Sequence, residues 1–117
     1  GSEMCIRDRT GADLRMTFMQ GAKLMKAKAV GANFEFARAA KANLSGADLT
    51  AANFEAIRAN GIWLVEADLT GANLMEAKLY EANMARAKLD GTKIRFAIFQ
   101  DAFMEGCQGC PFDWQVH

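Results

Sequence analysis

The feature that most constrains this chain is a period of five. Apolar side chains occupy every fifth position from Leu14 to Met104, 19 slots without an exception. Two residues before each slot runs a second series, from Ala12 to Ala102, in which 15 of 19 residues are alanine and only Thr17, Ile57, Ile62 and Thr92 depart. So frequent a demand for a small side chain is steric. Between the two series stand mostly polar residues, among them Asp13, Lys23, Asn33, Asn43, Asp48, Asn53, Asp68, Asn73 and Asn83. The local order is therefore in, out, in, which is the alternation of a β-strand. Eight glycines, from Gly11 to Gly106, share a further phase two residues after the apolar slot, where the chain must turn a corner.

An alanine-rich helix is the competing reading, because Ala, Leu, Lys, Glu and Met all favour helices. Geometry rejects it. At about 100° per residue, a step of five residues turns roughly 140°, so the apolar series would be smeared around the whole helix. A unit this short cannot bury its apolar face alone, so neighbouring units must stack into a solenoid.

The unit reads Ala-(Asp/Asn)-(Leu/Phe)-x-x, as in Ala12-Asp13-Leu14, Ala32-Asn33-Phe34, Ala42-Asn43-Leu44, Ala52-Asn53-Phe54 and Ala67-Asp68-Leu69. It resembles the motif of the pentapeptide-repeat family, over nearly the whole chain. The resemblance implies an all-β fold, a right-handed quadrilateral β-helix with four repeats per coil, nearly five coils and a short C-terminal cap. Stacking every twentieth residue then predicts four inward columns. They are Leu14, Phe34, Phe54, Leu74 and Ile94; Met19, Ala39, Ala59, Leu79 and Phe99; Leu24, Leu44, Leu64, Met84 and Met104; and Ala29, Leu49, Leu69 and Leu89. Ile57 should turn inward to replace the volume that Ala59 lacks, whereas Ala39 has no such rescue within its own repeat.

The predicted organisation is a non-repeat segment over 1–9, a solenoid over 10–106 and a cap or tail over 107–117. Gly1-Ser2 resembles a cloning remnant and Met4 to Arg9 a translated adaptor, so natural residues are expected to precede the repeats. At the other end Pro111 breaks the strand, and Phe112 and Trp114 are expected to cover the last coil or to pair it with a second copy, since open solenoid ends must be covered.

Fourteen basic residues balance 14 acidic ones, so there is no overall field to attract nucleic acid. No apolar run is long enough to span a membrane, and a cytoplasmic location is the expectation. Catalytic material is scarce. Ser2 and Ser45 are the only serines and His117 the only histidine, so no nucleophilic triad can be assembled. Cys107-Gln108-Gly109-Cys110 could be half a zinc site, but a second half is missing, and the phases place Cys107 inward and Cys110 outward as a surface thiol. No cofactor or metal is expected, and the chain is read as a non-enzyme.

The surface offers more. Arg38, Arg58 and Lys78 should stack as a cationic stripe screened by Glu35 and Glu55. Trp63, with Val65 in the same repeat and Phe103 nearby, places large apolar side chains outward, and with Phe112 and Trp114 forms the candidate interaction surface. The function expected is a non-catalytic protein-interaction or scaffold module. The alternative is the DNA-mimicking, gyrase-binding, quinolone-protection type within the family, which needs an acidic rod that a neutral chain does not provide.

Overall fold

A computed structural model of the protein describes residues 11–111. Every outward residue forms a parallel bridge to the residue twenty positions on, beginning with Asp13 to Asn33, Phe18 to Arg38, Lys23 to Asn43 and Lys28 to Asp48, and ending with Lys88 to Gln108. Twenty residues are thus one circuit of four five-residue sides. The first side carries the outward ladder Asp13, Asn33, Asn53, Asn73, Lys93, and the second carries Phe18, Arg38, Arg58, Lys78, Ile98. On the third side the ladder is Lys23, Asn43, Trp63, Asn83, Phe103, and on the fourth it is Lys28, Asp48, Asp68, Lys88, Gln108.

The backbone of each coil is satisfied by its neighbours. The inward Phe34 donates its N–H to the Asn53 carbonyl at 2.7 Å, while outward Asn33 donates back to Ala12 at 2.8 Å. Corner residues add a third rung, as where Phe36 donates to the Glu55 carbonyl at 3.1 Å. Strands this short bury their polar groups only because stacking supplies partners at every level.

The corner explains the glycine phase. Ala32 donates to the Ala29 carbonyl at 3.0 Å, closing a four-residue turn whose third residue, Gly31, has φ of 67°. A positive φ at that place is the type II pattern. All residues in this phase from Gly11 to Gly106 share it, with φ between 57° and 73°, and twelve of them are not glycine, Met16, Phe36, Glu76 and Phe96 included. The sequence marks the corner by its glycines, and the structure extends the same conformation to side chains for which it costs about 1–2 kcal/mol each. Such strain persists because the turn bond, the corner rung and the two flanking inward residues all demand it.

Inside the tube the side chains form one continuous core, and among the described residues no polar or charged side chain is buried. Phe34 stacks on Phe54 with ring centroids 4.8 Å apart and planes 2° from parallel, so the rings repeat at the spacing of the strands. Leu74 continues that column fully buried, Leu14 begins it at 7% exposure, and Ile94 is only partly buried. The column of Leu24, Leu44, Leu64, Met84 and Met104 is buried throughout. Ile57 is inward at 1% exposure, two residues from the fully buried Ala59, and supplies the volume that the alanine lacks. Two departures from alanine have a polar reason: the Thr17 and Thr92 hydroxyls donate to the carbonyls of Leu14 and Leu89 at 2.7 and 2.8 Å.

The C-terminal end corrects one expectation. Cys110 is not a surface thiol; it is as buried as Cys107, at 6% exposure, and the two form a disulfide across a Cα separation of 5.9 Å. Gly109 takes a left-handed φ of 71°, two residues ahead of where the next corner would fall. That early turn swings Cys110 inward, out of the five-residue phase.

These corners lead to an expected ranking. Around Gly71 a Cβ would meet nothing within 4 Å, so Gly71→Ala should cost only the backbone strain, about 1 kcal/mol. At Gly109 a Cβ would lie 2.7 Å from Asp90 Oδ1 and 2.9 Å from its backbone nitrogen, so Gly109→Ala should lose more. Denaturant unfolding of the two variants measures this, and equal losses would contradict it.

Candidate functional site

The outward slot has a preferred local chemistry. In a repeat such as Asn33-Phe34-Glu35, the N–H of the third residue is left over by the ladder, and the Asn33 Oδ1 accepts it at 3.0 Å. Asn43, Asn53, Asn73 and Asn83 do the same for Ser45, Glu55, Met75 and Ala85. Asp48 and Asp68 accept both the N–H and the hydroxyl of Thr50 and Thr70, the hydroxyls at 2.7 and 2.6 Å. This Asx capping is why Asp and Asn are the commonest occupants of the slot, at eight of the twenty outward positions from Asp13 to Gln108. Periodicity marks this residue only as polar and outward; the signal for the cap is the Asp or Asn itself, whose side chain reaches the N–H two residues on.

Against that background, positions that give up the cap stand out. Trp63 sits in the third-side ladder between two capping asparagines, Asn43 and Asn83, and its side chain is 46% exposed. Phe103 lies next above Asn83 in the same ladder, also exposed, and Val65, in the repeat of Trp63, is half-buried. Trp63 and Phe103 therefore stand about 10 Å apart, two rungs, on one wall. Phe112 and Trp114 lie outside the described residues.

The second side gives up the cap at every described rung, since Phe18, Arg38, Arg58, Lys78 and Ile98 cannot provide it. Arg38 lies over the Phe18 ring, its Cζ 5.1 Å from the centroid. The screening expected from Glu35 and Glu55 does not take the form of ion pairs. Glu55 Oε1 accepts from the Asn73 amide at 3.3 Å, toward the first side, and the charge of Glu35 acts on Arg15. Among the described residues the ion pairs are Arg15 with Asp13 at 2.7 Å and Arg86 with Glu66 at 3.5 Å.

Among the described residues no group of three or more His, Cys, Asp or Glu is placed to hold a metal, and no helix is long and apolar enough to cross a membrane.

A profile of pentapeptide repeats, in eight copies, matches residues 19–55, 30–62 and 64–95. With the twenty-residue register, the Asx-capped slot and the apolar core already described, the chain belongs to the pentapeptide-repeat family, and its fold is the right-handed quadrilateral β-helix. No curated protein matches its sequence. Among solved structures it is similar to a trypsin-treated form of QnrB1, a plasmid-mediated fluoroquinolone resistance protein. The identity is 20%, covering 91% of this chain and 69% of that one, with a TM-score of 0.58. That likeness is one of fold. It is also similar to a thylakoid-lumen pentapeptide-repeat protein of Arabidopsis thaliana, at 24% identity over 99% of this chain and 74% of that one, TM-score 0.48. HetL, a Nostoc protein involved in heterocyst differentiation regulation, shares 28% identity over 90% of this chain; the chain spans 62% of HetL, TM-score 0.40.

The Asp13 cap has a measurable consequence. Hydrogen bonds from the Arg15 side chain and backbone hold the Asp13 carboxyl down at about 2. Because the folded value lies below the ordinary one, the contribution to stability is complete above about pH 4 and is lost as pH falls through about 2. The carboxyl carbon of Asp13 should titrate near that value by NMR and return toward the ordinary range in Arg15→Ala. An unchanged midpoint in the variant would contradict the assignment.

Proposed function

We propose that the chain is a non-catalytic protein-interaction or structural scaffold module whose flat walls hold side chains at fixed spacing. The observation that supports this most is Trp63. An asparagine in its place would close the cap made one rung above and one rung below, a hydrogen bond worth about 0.5–1.5 kcal/mol. The chain instead carries a half-exposed indole, the side chain most often found where binding energy concentrates. Phe103 and Val65 extend the apolar area on that wall and its adjoining corner.

In this reading residues 10–106 form the solenoid, nearly five coils, with 1–9 outside the repeat and 107–117 as a cap or tail. Phe112 and Trp114 are proposed either to cover the last coil or to join it to a second copy. Light scattering decides between these: Trp114→Ala should convert a dimer to a monomer if the end is an interface, and an unchanged mass means that it is a lid.

A gyrase-directed role of the quinolone-protection type is the second reading, suggested by the likeness to QnrB1. A DNA mimic needs a continuous acidic wall, and the second side here carries the cationic run Arg38, Arg58, Lys78. The observation favours the scaffold reading.

Pull-down with cross-linking tests the role of Trp63. The intact protein should retain a partner that Trp63→Ala loses, with the variant's unfolding midpoint unchanged because the indole lies outside the core. Identical captures would remove this wall from the proposal.

A further inference from the structure

The second side and the corner that precedes it carry a separate feature. The corner positions stack every twenty residues as Met16, Phe36, Ala56, Glu76 and Phe96, because the N–H groups of Phe36, Ala56 and Glu76 donate to the coil above. Phe36 and Phe96 are 54% and 74% exposed. The small Ala56 between them leaves a surface groove of about 340 Å³, bordered by the two phenyl rings, Glu76, Arg58 and Lys78.

Three observations bear on what fits there. Among the described residues the side chains of Arg58 and Lys78 make no ion pair and no hydrogen bond, so two cationic groups border an apolar groove without a partner. Of the neighbouring acids, Glu55 accepts from the Asn73 amide toward the first side, and Glu76 is the one acid bordering the groove. None of the five rungs of this side carries the Asx cap, which is made at four rungs of the first side and at two each of the third and fourth. A neutral chain therefore holds a local strip that is cationic in the middle and aromatic at its ends.

Resting on the scaffold reading, the geometry points to this strip as a docking site for an extended acidic peptide segment with apolar residues on either side of its acid. The spacing fits. Phe36 and Phe96 are three rungs apart, about 14 Å, and an extended peptide carries residues i and i+4 about 13 Å apart on the same face. Apolar side chains at i and i+4 meet the two rings, and a carboxylate at i+2 lies between Arg58 and Lys78, where opposite charge sets orientation and encounter rate. Glu76 accepts from a peptide N–H along the run.

The probe is a fluorescein-labelled peptide in which leucine, glutamate and leucine alternate with serine in an extended run, read by fluorescence anisotropy. Binding should saturate and weaken with added salt. It should fall by about ten-fold or more in the pair Arg58→Glu with Lys78→Glu, and likewise in Phe36→Ser with Phe96→Ser. The fourth-side pair Lys28→Glu with Lys88→Glu has the same charge change and should bind as the unaltered protein does. Circular dichroism confirms that each variant keeps the fold. Absence of saturable binding, equal loss in the second-side and fourth-side pairs, or equal binding of a peptide with glutamine for glutamate would overturn the assignment. So would an oligothymidylate that binds more tightly and is lost in the same variants. Failure here leaves the Trp63 wall untouched, because that wall is on the third side and is tested by a different substitution.

Discussion

Everything in this molecule depends on the corner. A five-residue side can stack on the side below only if the chain turns through a left-handed residue at each corner, and twenty consecutive corners do so, from Gly11 to Gly106. That turn puts residues twenty apart in register, which lets the N–H of Phe34 meet the carbonyl of Asn53 and the ring of Phe34 meet the ring of Phe54. The hydrophobic core and the backbone ladder are two results of one conformation. Twelve residues other than glycine hold it against their own preference, so the packed interior must more than offset their strain.

The same regularity gives the surface its meaning. Each outward side chain has a fixed neighbour one rung up and one rung down, and a default occupant, Asn or Asp, that caps the backbone beneath it. A position that keeps the default is explained by stability alone. One that abandons it, such as Trp63 amid Asn43 and Asn83, forgoes a local hydrogen bond for a property that acts outward. The second side does this along its length, combining cations with phenyl rings beside a shallow groove.

Much of this was legible in the sequence because the period is strict. Alanine at 12, 22 and 32 and large residues at 14, 24 and 34 mark the two inward slots without further help, and Ile57 beside Ala59 reads as a volume exchange. What the period could not convey lay in side-chain direction and in breaks of phase. Glu55 is placed by sequence next to the cationic stripe, yet it turns to Asn73 on the other side of the corner. Cys110 is outward by counting, but the early left-handed turn at Gly109 brings it in to Cys107. The groove beside Phe36 and Phe96 depends on corners stacking across four coils. A reading that takes the corner only as a place for glycine overlooks what side chains do there.

The most direct measurement of this account is a set of through-space NMR contacts in solution across one bridge ladder, Asn33 to Asn53 to Asn73. The parallel register predicts inter-strand contacts between the backbone protons of residues n and n+20, together with slowed exchange of the Phe34 and Phe54 amides. A run of contacts between residues three and four apart, with no contact at a separation of twenty, would contradict it.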